Sequence, residues 1–164
     1  MFKKQNGNVV VISMIFIAIT IAIFMFIIAV FMSNVNGILY GVKTDMYLIN
    51  KSAVIAVNKN YANVDNFTYN QKEYKKYFKE SLIKNYDLND NLENKDKLIK
   101  KIIIEDYKIY KKGTKDEYTG EKCDDITIHS VITIKIKSII LSKVLEDVFT
   151  FKIHEDVNLN MYKT

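Results

Sequence analysis

The alternation of apolar and polar positions divides the chain into two unlike parts. Residues 9–32 are 24 positions without a charged side chain, among which only Ser13 and Thr20 are polar. A helix of about 20 apolar residues spans the hydrocarbon core of a bilayer, so this run predicts a transmembrane helix. Lys3 and Lys4 precede the run, and the first ten residues after it carry no charge. This asymmetry predicts that the N-terminus stays in the cytoplasm and that the rest of the chain lies outside.

The apolar run differs from a cleaved secretory signal. Such signals have an apolar region of about 7–15 residues, followed by a cleavage site of small residues. This run is longer, and residues 31–37 after it make a poor site for that peptidase. We therefore expect an anchor that is retained in the membrane.

The helical pattern continues beyond the anchor. Apolar residues recur at spacings of three and four, which predicts that a single helix extends to about residue 58. The members of this apolar stripe are Val35, Ile38, Leu39, Val42, Met46, Ile49, Ala53, Ala56 and Val57. Asn50 belongs to the polar positions that are expected on the opposite, water-facing side.

The C-terminal part combines one helical pattern with three strand patterns. Residues 70–86 predict an amphipathic helix, whose spaced apolar positions are Tyr74, Phe78, Leu82 and Tyr86. Residues 62–69, 87–97 and 112–124 are expected to be loops or turns, and residues 142–147 a short turn or a helical turn. Strands are predicted at residues 98–111, 125–137 and 148–162.

The second and third strands alternate most clearly. Ser130 is the only gap in the isoleucine-rich face of the second strand, and Glu155 is the exception on the apolar face of the third. His129 and His154 fall on the opposite faces. Because clean alternation indicates a sheet with one covered face and one wet face, both histidines are expected in water.

These elements predict an α+β fold. A long N-terminal transmembrane helix packs, through its second half, on a small antiparallel sheet with one additional helix. The chain is expected to divide into a positively charged leader (1–8), a transmembrane helix with an amphipathic extension (9–61) and an extracytoplasmic α+β domain (62–164).

Composition narrows the classes of partner. The chain has no Arg, and beyond residue 32 its 22 Lys face 19 acidic residues, so most of it is nearly balanced in charge. Guanidinium groups make the bidentate contacts that read guanine or clamp phosphate, and their absence argues against a nucleic-acid partner. Cys123 is the only cysteine, so no intrachain disulfide forms.

No catalytic or cofactor-binding motif is present in the sequence, and we predict neither enzymatic activity nor a cofactor. Cys123, His129 and His154, with Asp124 or Asp125, lack metal-ligand spacing such as a Cys-x-x-Cys pair. No metal site is predicted. The acidic residues between the first two strands are expected to form a solvated loop; they are Asp116, Glu117, Glu121, Asp124 and Asp125.

The order of these features resembles the type IV pilin superfamily. Lys3, Lys4 and Gly7 form a short positive leader, followed by the apolar run and by the small-residue-rich stretch 47–57. Within the superfamily the chain looks most like the TadE-like pseudopilins of tight-adherence systems. The resemblance covers about 60 residues. It implies that a prepilin peptidase cuts between Gly7 and Asn8.

One position departs from the pattern of the superfamily. Pilins usually carry Glu at the fifth position after the cut, and this chain has Ile12 there. Because that Glu is thought to pair with a neighbouring subunit during assembly, the departure argues against a major subunit and is compatible with a minor one.

Two pairs of small residues have the spacing that lets membrane helices approach closely. They are Ala18 with Ala22 and Gly37 with Gly41. The first pair lies within the apolar run, and the second lies at or beyond the membrane edge. Both pairs are candidate helix-packing positions.

Two functional hypotheses follow. The first is a pilin-like, TadE-like minor subunit or pseudopilin in a bacterial cytoplasmic membrane, for a tight-adherence or type IV pilus or a secretion apparatus. Its expected partners are the bilayer, other pilin-like subunits or secretion-platform membrane proteins, and the prepilin peptidase. Its outer domain reaches the cell surface if a filament forms. The alternative is a single-pass anchored extracytoplasmic binding module with an unknown ligand.

Overall fold

The computed structural model describes residues 3–57, 70–137 and 149–159, with side chains from residue 8 onward. The described residues form an α+β structure, as predicted. The elements are α1 (Lys3–Val57), α2 (Gln71–Tyr86), β1 (Ile99–Tyr110), β2 (Thr127–Ile136) and β3 (Thr150–Asn158). The three strands form one antiparallel sheet in the order β1-β2-β3. The predicted turn at 142–147, the loop at 62–69 and the end of the third predicted strand at 160–162 lie outside the described residues.

The chain forms two compact units, Met1–Ile38 and Leu39–Thr164, whose boundary falls within α1. In the first unit the helix exposes its apolar side chains; Phe16, for example, is 73% exposed and Phe26 69%. Among the residues the structure describes, α1 is the one helix that is long and apolar enough to cross a membrane, and its apolar window is not buried within the chain. This finding agrees with the predicted transmembrane helix by length and composition.

In the second unit, the end of α1 contributes to the core. Val42, Met46, Ile49 and Ala53 of the predicted stripe are buried, whereas Ala56 is exposed. The prediction that Asn50 faces water is wrong, because its side chain is fully buried. Asn50 donates a hydrogen bond through Nδ2 to Oγ of Ser130 in β2, at 2.8 Å, and this contact joins the helix to the sheet.

Helix α2 has both of its ends capped. The side chain of Asn70 accepts a hydrogen bond from the backbone N–H of Glu73, and Asp87 takes the left-handed conformation that commonly ends a helix. Tyr74, Phe78 and Leu82 are buried, as their spacing of four predicted. The Phe78 ring packs against Tyr107 of β1, with centroids 5.0 Å apart, so α2 covers the same face of the sheet.

A β-bulge sets the faces of β1. The register shifts between Ile104 and Asp106, so Glu105 has no partner of its own in β2. After the bulge, Tyr107 lies opposite Ser130 and Ile109 opposite Ile128. Tyr107 therefore returns to the face that the helices cover. This explains why the apolar alternation of the first strand weakens after Ile104.

The opposite face of the sheet is covered at one end. Residues 111–126, the connection between β1 and β2, form a small hairpin in which Gly113 N–H donates to the Cys123 carbonyl and Cys123 N–H to the Thr114 carbonyl. Gly113 and Gly120 have φ of 79° and 76°, which favours glycine at both turns. The ring of Tyr118 from this connection packs on His129 and His154, with centroids 5.6 and 4.3 Å away.

This cover overturns two predictions. His129 does not lie in water: its side chain is 0% exposed, because the connection folds over it. The acidic loop is not solvated throughout either, since Asp116 is 3% and Asp125 8% exposed. The alternation of β2 correctly assigned the two faces but carried no information about what covers the second one.

Candidate functional site

The pairing of β2 with β3 brings three titratable side chains onto one face. His129 lies directly opposite Asp156, and the neighbouring pair on the same face is Val131 with His154. His154 and Asp156 are two residues apart and so point to the same side of β3. Opposite and diagonal positions in an antiparallel pair are within reach of long side chains, and the three side chains meet here.

The distances between these groups are short. His129 Nδ1 lies 2.8 Å from Asp156 Oδ1 and 3.2 Å from His154 Nε2. His154 Nε2 in turn lies 2.9 Å from Asp156 Oδ2. The two rings are 4.8 Å apart between centroids. The carboxylate of Asp156 therefore joins both imidazoles.

The β1–β2 connection adds a fourth group. Asp116 Oδ1 accepts a hydrogen bond from the backbone N–H of Tyr118 at 2.7 Å, which leaves Oδ2 directed at His129 Nδ1, 3.7 Å away. One ligand atom from each of Asp116, His129, His154 and Asp156 lies within 4.8 Å of all the others. We call these four residues the His/Asp cluster.

The cluster is buried on one side and open on the other. The side chains of His129 and Asp116 are 0% and 5% exposed, whereas those of His154 and Asp156 are 24% and 26% exposed. An open cleft lies beside the cluster and includes Asp116, Asp156 and Cys123 in its lining. An ion or small polar group in solution therefore has a path to the cluster.

Opposing effects set the pKa values of the two buried members of the cluster, His129 and Asp116. Burial alone lowers the pKa of His129, but the hydrogen bond to Asp156 and the charges of Asp156, Asp116 and Asp106 outweigh it, so the pKa is raised. Burial alone raises the pKa of Asp116, yet hydrogen bonds from Tyr118 and Thr119 and the charge of His129 leave it lowered. The cluster thus attracts positive charge.

Of the residues that the sequence offers for a metal site, only His129 and His154 belong to the His/Asp cluster. Asp124 is exposed, and Asp125 uses Oδ1 to accept a hydrogen bond from the N–H of Ile126. Cys123 is half-buried in the wall of the cleft and is not one of the four converging groups. Burial first, and then the charges of Asp116, Asp156 and Asp124, raise the pKa of its thiol.

The sequence carries a signal for part of the cluster. Side chains two residues apart in a strand lie on the same face, so ligands in strands have a spacing of two. His154 and Asp156 have that spacing. His129 lies on the face of β2 that carries its polar side chains, and β2 pairs with β3. The contribution of Asp116 has no such signal, because it depends on how the connection folds.

The structure places the predicted processing and packing residues on α1. Lys3, Lys4, Gly7 and Asn8 all lie in its first turns, and Ala18 and Ala22 are exposed one turn apart. Gly37 and Gly41 are helical, so the helix is not broken at either. A Cβ added at either glycine would meet nothing within 4 Å. Neither glycine is required by packing within the described part of the chain.

Comparisons with family models, with curated proteins and with solved structures found no match to this chain.

Proposed function

We propose that this protein is a membrane-anchored, pilin-like minor subunit of the TadE-like kind, which presents its α+β domain outside the cytoplasmic membrane and joins a pilus or secretion assembly. The observation that supports the proposal most directly is the difference in exposure between the two parts of α1. Its first part exposes apolar side chains from Val9 to Met32, and its last part is buried in the outer domain's core.

Exposing the apolar side chains of the first part of α1 to water is unfavourable in free energy. At least 18 large apolar side chains between residues 9 and 32 are more than about a third exposed, and burial of each in lipid or against another helix is worth roughly 1.5–3 kcal/mol. Lipid covers this apolar surface while the subunit is alone in the bilayer. Neighbouring subunits satisfy it when the helices pack together, and this is the mechanical role that we assign to α1.

The buried part of α1 links that anchor to the outer domain. Asn50 contacts Ser130 of β2, and Asp45 accepts a hydrogen bond from the Tyr86 hydroxyl of α2 at 2.6 Å. The last turns of the helix are therefore fixed to the domain. No group of the His/Asp cluster has a role in this link.

A second candidate is a single-pass anchored extracytoplasmic binding module. The half-open His/Asp cluster favours it, because a few converging polar groups beside a cleft are typical of a ligand site. The two candidates differ in self-association: a pilin-like subunit packs against its neighbours through α1, whereas a binding module functions as a monomer with its helix in lipid.

Cys123 provides a direct test of the proposed topology, since it is the only cysteine and lies in the outer domain. Intact cells expressing the full chain are treated with a membrane-impermeant maleimide at mildly alkaline pH, because the thiol pKa is raised. We expect labelling without permeabilisation. In the matched control, Cys123→Ser with Gln5→Cys, labelling should need permeabilisation. The reverse pattern would show that the domain lies in the cytoplasm and would overturn the proposal.

A further inference from the structure

We propose that the His/Asp cluster binds one Zn²⁺ ion, which fastens the β1–β2 connection to the sheet. The ligands are Nδ1 of His129, Nε2 of His154 and one carboxylate oxygen each from Asp116 and Asp156. This site is independent of whether the subunit joins a filament.

Three polar atoms crowd around one nitrogen of His129. Asp156, His154 and Asp116 all direct an atom at His129 Nδ1, at 2.8, 3.2 and 3.7 Å. An imidazole nitrogen offers a single in-plane hydrogen or lone pair, so it satisfies one of these three at a time. A metal ion at the centre of the cluster satisfies all four groups together.

The four ligand atoms lie close enough together to converge on one ion. Zn²⁺ binds His nitrogen and carboxylate oxygen at about 2.0–2.2 Å in tetrahedral sites, which places the ligand atoms roughly 3.4 Å from one another. The separations that involve His129 and His154 range from 2.8 to 3.7 Å. All four ligand atoms lie within 4.8 Å of one another, so the most widely separated ones must approach by up to about 1.4 Å to reach tetrahedral positions.

The charge and the atom types of the four ligand groups determine which ion they favour. Two carboxylates and two neutral imidazoles carry a charge of about −2, which matches a divalent cation. Mg²⁺ and Ca²⁺ prefer oxygen ligands throughout, whereas imidazole suits Zn²⁺ and its neighbours. The ligand set therefore selects a transition-metal ion, and the number of converging groups, four, matches the usual coordination number of Zn²⁺.

The buried edge of His129 is consistent with a metal ligand. Its Nε2 has no hydrogen-bond partner in the described part of the chain, and the nearest carboxylate oxygen there, Asp106 Oδ2, is 3.9 Å away. When Nδ1 binds a metal, Nε2 carries the hydrogen and is a donor. A small shift of Asp106 would make it the acceptor that orients the ring.

The position of the ligands gives the ion its role. His129 belongs to β2, His154 and Asp156 belong to β3, and Asp116 belongs to the connection between β1 and β2. One ion therefore ties three segments together. The chain has no disulfide to hold this connection, and metal binding supplies folding free energy where the site forms only in the folded state.

The test uses the full chain in detergent micelles, purified without a polyhistidine tag and stripped with a chelator. Zn²⁺ binding is measured by calorimetry and thermal unfolding by circular dichroism. We expect one Zn²⁺ per chain, a raised Tm, and no comparable effect of Mg²⁺ or Ca²⁺. Hydrogen exchange should slow in residues 113–123 when Zn²⁺ is added.

Two ligand variants and two controls make the test specific. His154→Gln and Asp156→Asn alter half-exposed ligands, so their folding is checked first by circular dichroism. Each should weaken Zn²⁺ binding at least about tenfold, because even changes to groups behind the ligands cost that much. Asp124→Asn removes one charge beside the same cleft, and Cys123→Ser removes its thiol; both should bind as the wild type does.

Co²⁺ provides a readout that does not depend on the variants. Bound in the cluster, it should give the intense visible absorption of four-coordinate cobalt without a thiolate charge-transfer band. The proposal is overturned by any of three results: no Zn²⁺ uptake by the wild type, unchanged binding in both ligand variants, or a six-coordinate Co²⁺ spectrum.

Discussion

The side-chain amide of Asn50 donates a hydrogen bond to the hydroxyl of Ser130 across 2.8 Å, although 80 residues separate the two in the chain. Both residues interrupt apolar patterns: Asn50 lies beside the stripe of α1, and Ser130 is the gap in the isoleucine face of β2. The Ser130 hydroxyl also donates to the Glu155 carbonyl of β3, at 3.2 Å. The Asn50 Nδ2 group and the Ser130 hydroxyl therefore pair in the core between helix and sheet, whereas Asn50 Oδ1 has no hydrogen-bond partner among the described residues.

Removing one member of this pair should destabilise the outer domain more than removing both. Ser130→Ala leaves the buried Asn50 amide without its acceptor, and we expect a loss of about 1–3 kcal/mol. Asn50→Leu with Ser130→Ala replaces both polar groups by apolar ones, which is often nearly neutral. Thermal unfolding of the full chain in detergent measures the cycle. Additive losses from the two changes would contradict the coupling.

The Tyr86–Asp45 contact should make stability sensitive to alkaline pH. Burial, and then the hydrogen bond and charge of Asp45, raise the pKa of Tyr86 far above its usual value. Because the pKa of Tyr86 is higher in the folded state, Tyr86 adds to the free energy of unfolding. This contribution is fully present below the unfolded pKa of about 10 and is lost as pH rises through the folded pKa. Unfolding across this pH range is the measurement. Tyr86→Phe should be less stable at neutral pH and should lose less on going above about pH 10. An equal alkaline loss in both proteins would contradict this assignment.

Substitution of a glycine in α1 should affect stability and assembly in opposite directions. A Cβ at Gly37 or Gly41 meets no atom within 4 Å, so Gly41→Ala should stabilise the helix by up to about 1 kcal/mol. If the glycines let another helix approach, the same change should impair assembly while the purified chain unfolds at a higher temperature. Assembly is followed by native gel electrophoresis of mild detergent extracts. Unimpaired assembly would remove Gly41 from the contact.

Disulfide crosslinking tests the small-residue face within the membrane. In a Cys123→Ser background, Ala18→Cys or Ala22→Cys should form oxidised dimers if subunits pack through this face. Phe16→Cys and Thr20→Cys are the matched controls, because helical geometry places them about 160–200° around the axis from Ala18. Crosslinking that is equal at all four positions, or absent from all, would exclude this packing face.

The sequence predicted the elements well because their patterns are local. The apolar run of α1, the spacing of four in α2 and the alternation of β2 each reflect one covered face, and all three elements are present. The β1 bulge was visible only as weaker alternation. Its position depends on the register with β2, which a single sequence does not specify.

The candidate site was harder to predict because it depends on contacts between segments. His129 and His154 lie on the face that the alternation assigns to water, and the fold of residues 111–126 decides otherwise. Asp116 is one of five acidic residues in that connection, and its neighbours do not distinguish it. Asn50 illustrates the same limit, since its burial and its contact with Ser130 depend on how the end of α1 lies on the sheet.

A pilin-like subunit is cut by a prepilin peptidase, so the N-terminus of the mature protein tests the proposed function most directly. The measurement is the intact mass and N-terminal sequence of the protein purified from its own membranes, with Gly7→Leu as the variant that should block cleavage. We predict a chain that begins at Asn8 in the wild type and at Met1 in the variant. A wild-type chain that still begins at Met1, or one that begins beyond Met32, would contradict the account.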